Sequence, residues 1–262
     1  MKYQVISSGS KGNLIYVEGG NAKVLIDSGI SYKQACTRSD IDYKCIDAIL
    51  ITHEHSDHIK HLAMYLKKSK ADLYVQKDTF KEICYRQELC IDNNRIKLIE
   101  ANKKYKINDL IFMPLQLTHD TVNCFGFVFV YKKASLAYIA DTGFIQTPYI
   151  TLLKNVKHLI IESNHDIQML NDSDRPRELK NRILSIKGHM SNLTCGEVLN
   201  KILQAKNVKC VTLAHLSEEC NTPELAVDTV LSKIEGDYLP TLLVAKQYEA
   251  LPMQEIEDED EH

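Results

Sequence analysis

The chain has 262 residues, of which 44% are hydrophobic and 26% charged, a globular balance that excludes intrinsic disorder. Its net charge of −3 conceals an acidic end, because six of the last eight residues are acidic. Without these six, 29 of the 35 acidic residues remain against 32 basic ones, and the rest of the chain has a net charge of +3. This small excess is far from the strong basic bias of a dedicated nucleic-acid binder.

Short β-branched runs separated by glycines predict strands at residues 3–6, 14–17 and 23–26. A continuous apolar run predicts a buried strand at 47–52, and a helix is predicted at 59–68. Further strands are predicted at 73–75, 95–99, 110–117, 125–131 and 136–140.

The second half of the chain repeats this order of strands followed by helices. Helices are predicted at 147–155, 175–184, 193–205 and 223–234, and strands at 158–161 and 209–213. This order favours two sheets packed face to face with helices outside, an α+β fold of the αββα four-layer sandwich type. We expect one domain over residues 1–252, followed by an acidic, disordered tail at 253–262.

Targeting and redox features are consistent with a cytoplasmic protein. No apolar run approaches the roughly 18 residues of a membrane span, so we expect no membrane association. The first ten residues show no charged segment followed by an apolar one, so we expect no signal peptide. The eight cysteines include no Cys-x-x-Cys pair, which excludes zinc-ribbon and thioredoxin motifs and favours reduced thiols.

The strongest functional signal is a six-residue motif between the predicted strand 47–52 and the predicted helix 59–68, His53-Glu54-His55-Ser56-Asp57-His58. In an extended turn, His53 and His55 face the same way, because side chains two residues apart lie on one side. Three imidazoles and a carboxylate so close together suit a divalent metal. A polar helix start capped by Asp57 is the alternative, but it does not require three histidines.

Three more candidate ligands each follow a predicted strand: His119, Asp141 and His215. Taken alone, each histidine is typical of a hydrogen-bonded edge residue, and Asp141 starts a common Asp-Thr-Gly turn. Together with the six-residue motif they form a set large enough for two metal ions, because one tetrahedral site uses only about four ligands. Histidine-rich ligands allow Zn, Mn or Fe.

This set resembles the metallo-β-lactamase superfamily, with Asp27 as a further matching residue. The resemblance implies the αββα fold and a site for two divalent metal ions. The implied ligands of the first ion are His53, His55 and His119. Those of the second are Asp57, His58 and His215. Asp141 would bridge the ions, and Asp27 would orient the ligand loop.

Four further stretches are similar to the bacterial WalJ/YycJ-type branch of this superfamily. They are residues 7–13 (SSGSKGN), 162–166 (ESNHD), 188–192 (GHMSN) and 215–217 (HLS). The branch is associated with DNA exonuclease activity, so the resemblance implies a DNA substrate. The stretch between Asp141 and His215 is too short for the β-CASP domain that many RNA nucleases of the superfamily insert there.

The candidate catalytic residues are Asp57, His189, His165 and Glu162. His189 and His165 are histidines left over from the ligand set, and either could donate a proton to the leaving oxygen. Glu162 ends a predicted strand and could orient one of them. Ser191 or Asn192 could cap the following helix, which accounts for part of the stretch around His189 without catalysis.

The sequence therefore predicts a dinuclear metal-dependent phosphodiester hydrolase, a 5′-to-3′ DNA exonuclease in which a hydroxide held between the metals attacks phosphorus. Two alternatives stay open. One is a hydrolase of a small ester, thioester or cyclic phosphate on the same fold. The other is a metal-binding regulatory module without turnover, against which the complete ligand set argues.

Overall fold

The computed structural model describes residues 1–258, which form two seven-stranded sheets stacked face to face with helices on both outer faces. The first sheet contains β1 (Lys2–Ser7), β2 (Leu14–Gly19), β3 (Ala22–Ile26), β4 (Ala48–Leu50), β5 (Asp72–Val75), β6 (Ile96–Leu98) and β14 (Gln254–Glu255). In space β14 lies beside β1, and the other strands follow in chain order.

The second sheet contains seven strands that lie side by side in chain order. They are β7 (Tyr105–Ile107), β8 (Leu110–Leu117), β9 (Cys124–Tyr131), β10 (Ala134–Ile139), β11 (His158–Glu162), β12 (Cys210–Ala214) and β13 (Thr241–Val244). Strands β10 to β13 are parallel, as are β3 to β6 in the first sheet. The β8–β9 and β9–β10 pairs are antiparallel, so β8 runs in the same direction as β10.

The described residues form nine α-helices, several of which cover the outer faces of the sheets and bury apolar side chains there. They are α1 (Tyr32–Arg38), α2 (Ser56–Ile59), α3 (Leu62–Lys68), α4 (Lys77–Arg86), α5 (Thr147–Leu153), α6 (Ile167–Asp172), α7 (Arg177–Leu184), α8 (Asn192–Leu203) and α9 (Pro223–Leu231). Apolar residues of α1, α3 and α4 pack on the first sheet, and those of α5, α8 and α9 pack on the second. A third apolar cluster, which includes Phe112, Phe127 and Phe129, fills the space between the sheets. The predicted αββα sandwich is confirmed.

Several element boundaries differ from the sequence prediction. The predicted helix 59–68 is divided into α2 and α3, because the backbone N–H of His61 donates to the carbonyl of Ser28 instead of continuing the first helix. The pattern also missed α1, α4, α6, β7 and β13, which are short or mostly polar. The cap predicted for the helix after His189 is Ser191, whose side chain accepts from the backbone N–H of Thr194.

The folded structure continues past the predicted boundary at residue 252. Strand β14 pairs antiparallel with β1, and Ile256 is 2% exposed in the core between the sheets. An apolar side chain within an acidic stretch therefore holds the end of the chain against the first sheet. Residues 259–262 of the predicted tail lie outside the described residues.

Among residues 1–258, no helix is long and apolar enough to cross a membrane. All eight cysteines are free of disulfide bonds, and four of them are buried: Cys124, Cys195, Cys210 and Cys220.

Candidate metal centre

The predicted ligands lie at one edge of the sandwich, where parallel strands of both sheets end. Asp27 and His215 directly follow β3 and β12, and Asp141 comes two residues after β10. These three residues have φ angles of 62°, 55° and 56°, in the left-handed region that residues with a side chain rarely adopt. Such a conformation costs about 1–2 kcal/mol per residue, and three instances at one edge indicate a site whose geometry is imposed by its surroundings.

The structure brings all seven predicted ligands together. One group comprises His53, His55 and His119, and another comprises Asp57, His58 and His215, with the ligand atoms of each group within 4.8 Å of one another. Asp141 lies between the groups. Its carboxylate oxygens are 3.2 Å from Nε2 of His58 and 3.9 Å from Nε2 of His119. A cluster of imidazoles and carboxylates of this kind fits divalent metal ions.

A buried carboxylate sets the orientation of His58. Nδ1 of His58 donates to Oδ2 of Asp27 at 2.7 Å, and both side chains are fully buried. The backbone N–H and the hydroxyl of Thr52 also donate to Oδ1 of Asp27, at 2.9 and 3.0 Å. Because that hydroxyl has one proton, its oxygen accepts from Nδ1 of His53, 3.0 Å away. In the neutral form of each ring, the proton is therefore on Nδ1, and Nε2 is the nitrogen that a metal would bind.

Three buried ring nitrogens have no hydrogen-bond partner among the described residues, Nε2 of His53, His165 and His215, and two of them, those of His53 and His215, belong to the ligand groups. A buried polar atom without a partner destabilises the folded state by about 1–3 kcal/mol, and a metal bound at the Nε2 atoms of His53 and His215 would remove this penalty. His119 presents a third nitrogen, since its Nδ1 donates to the backbone carbonyls of Lys187 and Gly188 at 3.1 and 3.2 Å. Unpaired imidazole nitrogens and carboxylates together are a donor set that fits divalent transition metals.

Glu162, the last residue of β11, is fully buried and connects two histidines. Its Oε1 accepts from Nδ1 of His189 at 2.7 Å and from Nδ1 of His215 at 2.9 Å. Burial raises the pKa of Glu162, but these histidines lower it more, to about 2. Burial lowers the pKa of His189, whereas Glu162 raises it more, so this pKa lies above its ordinary value. The pair therefore combines a charged carboxylate with a ring that retains its proton.

The predicted catalytic residues fall into two different surroundings. His189 and Asp57 line a cavity of about 230 Å³ at the ligand cluster, and Glu162 lies behind His189. His165 is 1% exposed and is not part of the cavity lining, so it does not face the space that His189 and Asp57 share. The backbone of His165 bridges to Ser191, and burial of the ring lowers its pKa to about 4.

Several cavity residues were missed in the sequence. Arg175 and Arg182, from the segment around α7, line the cavity together with Asp120. Charged side chains on a short amphipathic helix are typical of a solvated face, so no pattern marks these arginines. Asn13 was also missed. Its Nδ2 lies 3.0 Å from Nε2 of His58, and the glycine-rich stretch 7–13 that contains it was the available signal.

Comparison with known proteins places this geometry in a family. The sequence model described as the beta-lactamase superfamily domain matches residues 22–216. The exodeoxyribonuclease WalJ of Streptococcus pneumoniae (strain D39) is 32% identical over 255 residues, which cover 96% of this chain and 94% of that protein. The exodeoxyribonuclease YycJ of Bacillus anthracis is 30% identical over 241 residues, which cover 90% and 89%. The metallo-β-lactamase fold protein YhfI of Bacillus subtilis superposes with a TM-score of 0.73 at 16% identity, covering 95% of this chain and 98% of that one.

The fold and the cluster of histidines and carboxylates define a metal-dependent hydrolase of the β-lactamase superfamily. Within that superfamily, the chain belongs to the family of the exodeoxyribonucleases WalJ and YycJ.

Proposed function

We propose that the protein is a DNA exonuclease that hydrolyses phosphodiester bonds from the 5′ end of a strand. The observation that carries this proposal is the complete ligand cluster in a chain that aligns with WalJ and YycJ over almost its whole length. A DNA substrate and unpaired cysteines also suit the reducing cytoplasm, where we place the protein.

The residues present fit two divalent ions, Zn, Mn or Fe. The first ion would be held by His53, His55 and His119 and the second by Asp57, His58 and His215, with Asp141 shared. When bound, the ions would supply positive charge for the phosphoryl oxygens and would lower the pKa of water to about 7. Asp27 and Glu162 hold the rings of His58 and His215 in place through their Nδ1 atoms, which keeps the donor geometry independent of substrate.

His189 is the residue that we assign to the leaving oxygen. It lines the cavity, and Glu162 holds its Nδ1 proton at 2.7 Å, so Nε2 is the nitrogen that would face a substrate. Because the pKa of His189 lies above its ordinary value, the ring carries a proton to donate. Asp57 contributes to the reaction as a ligand, and Glu162 acts through His189.

The test is the product pattern from a linear duplex labelled at its 5′ end, incubated with Zn or Mn beside a covalently closed circle of the same sequence. We expect labelled mononucleotide from the linear DNA and an intact circle. Asp57→Ala should abolish the release of labelled mononucleotide. His61→Ala, which alters a histidine outside the ligand set, should still release it.

Two outcomes would contradict the proposal. Equal cutting of the circle would show an endonuclease. No cutting of either DNA by protein that holds two metals, together with turnover of a small ester, thioester or cyclic phosphate, would favour the small-molecule alternative.

A further inference from the structure

Two arginines form part of the cavity wall opposite the strand ends. Arg175 lies just before α7 and Arg182 lies in its last turn. Arg175 pairs with Glu219, at 2.9 Å from its Nε and 2.8 Å from its Nη2. Arg182 pairs through Nη2 with Oδ2 of Asp120. The two pairs connect the segment around α7 to the loops that follow His119 and His215.

Asp120 places Arg182 beside the ligand cluster. While Oδ2 of Asp120 contacts Arg182, its Oδ1 is buried, has no hydrogen-bond partner and lies 3.4 Å from Nε2 of His119. The guanidinium is therefore separated from a metal-ligand ring by a single carboxylate. Arg182 is nevertheless 59% exposed. A guanidinium has five N–H donors, and one carboxylate oxygen leaves several of them for an incoming anion.

The charges around the cavity favour a phosphate at this position. Four carboxylates, Asp57, Asp120, Asp141 and Glu162, would balance the charge of two divalent ions. Glu219 offsets the charge of Arg175, so the charge of Arg182 remains to attract an anion to the loaded cavity. Arginine also presents its donors in a planar fork that matches two phosphate oxygens, so it binds phosphate with more directional hydrogen bonds than the ammonium group of lysine.

The position of Arg182 favours the phosphate at the end of a strand. An exonuclease that releases nucleotides from the 5′ end holds the bond that it breaks at the metal ions, and the next phosphate beyond that bond is the 5′-terminal one. Arg182 lies beyond the ligand cluster, separated from His119 by the carboxylate of Asp120, in the wall of a cavity of about 230 Å³. This position suits a phosphate one nucleotide away from the one at the metal ions.

We propose, on the basis of the exonuclease function above, that Arg182 binds the 5′-terminal phosphate of the DNA strand, with Arg175 as a second donor from the same wall. Asp120 is a positioning residue, because it acts by holding the guanidinium of Arg182. Recognition of a terminal phosphate would also explain why degradation starts at an end.

The test compares binding of two otherwise identical single strands, one with a 5′-phosphate and one with a 5′-hydroxyl. Phosphorothioate linkages keep them intact, and the protein is loaded with Zn. We expect the wild type to bind the phosphorylated strand about 10- to 100-fold more tightly, as charge-assisted bidentate hydrogen bonds imply. Arg182→Gln should reduce this preference to about twofold. Arg177→Gln, which removes the same charge from an exposed position of the same helix, should keep it.

A second readout separates binding from positioning. Arg182→Gln should lower the slope of log Kd against log salt by about 0.7, the value of one phosphate contact on a single strand. Asp120→Asn keeps the guanidinium charge, so it should weaken the preference for the phosphate without lowering that slope. The metal content of each variant shows that the centre is intact, and Arg182→Met, which also removes the charge, serves if Arg182→Gln does not fold.

Two results would overturn the assignment of Arg182: a wild type with no preference for the 5′-phosphate, or an Arg182→Gln protein that retains the full preference and salt slope. The failure of the exonuclease proposal looks different. In that case the metal-loaded wild type would release no nucleotide from unmodified DNA, whatever the binding comparison shows.

Discussion

Nδ1 of His58 lies 2.7 Å from Oδ2 of Asp27, and neither side chain is exposed to solvent. Thr52 completes this contact by donating its backbone N–H and its hydroxyl to the same carboxylate. One carboxylate thus controls the ring that would link the two ligand groups, since Nε2 of His58 is 3.3 Å from Asp57 and 3.2 Å from Asp141.

The first prediction concerns Asp27→Asn. An amide nitrogen opposite Nδ1 of His58 would favour the tautomer with its proton on Nε2, which removes a metal donor. We expect metal affinity to fall about 10- to 100-fold, measured by competition with a chelator. Asn also tolerates a positive φ, so the backbone at this position is not strained further. Asp47→Asn, before β4 and away from the ligand cluster, is the control, and an equal loss in both variants would refute the role of Asp27.

The second prediction is two divalent ions per chain, because seven ligand side chains exceed the four of a tetrahedral site. Asp57→Ala or His215→Ala should lose mainly one ion, and His55→Ala should lose mainly the other. Elemental analysis after reconstitution measures this directly. A wild type that never retains more than one ion would contradict the two-ion site.

The third prediction concerns the proton donor. His189→Ala should keep its metals and lower kcat on DNA by about 10²- to 10⁴-fold, because the leaving oxygen then departs without a proton. The kcat of this variant on a nitrophenyl phosphodiester, which has a good leaving group, should fall much less. Equal losses on both substrates would exclude the acid role and leave His189 a binding or structural one. His165→Gln is the control, because His165 is buried away from the cavity.

The fourth prediction concerns stability in acid. Burial and the nearby N-terminal amine lower the pKa of His158 to about 4. The unfolded chain therefore binds a proton that the folded chain does not, and stability is lost as pH falls from about 6.5 to about 4. His158 begins β11, at the end of the strand away from Glu162. In metal-free protein, His158→Gln should lose about 2–4 °C less in Tm than the wild type over this range. An equal fall in Tm in the two proteins would show that His158 does not cause this loss of stability.

The class of fold and most of the metal cluster follow from the amino-acid sequence alone. Three histidines and an aspartate lie within six residues, so their proximity follows from chain connectivity alone. His119, Asp141 and His215 each follow a strand, and the ends of strands that run in the same direction meet at one edge. Alternation of apolar strands with amphipathic helices was enough to predict the αββα layers.

The residues that surround that cluster depend on how the elements pack in three dimensions. Glu162 joins His189 and His215 because β11 lies beside β12, a pairing that no local pattern encodes. His165 resembles His189 in the sequence, but it is buried and does not line the cavity. Arg182 and Arg177 look alike on a polar helix, yet only the packing of that helix over the strand ends puts one of them in the cavity. Secondary structure follows from short-range periodicity, whereas the surroundings of a side chain depend on contacts between residues far apart in the chain.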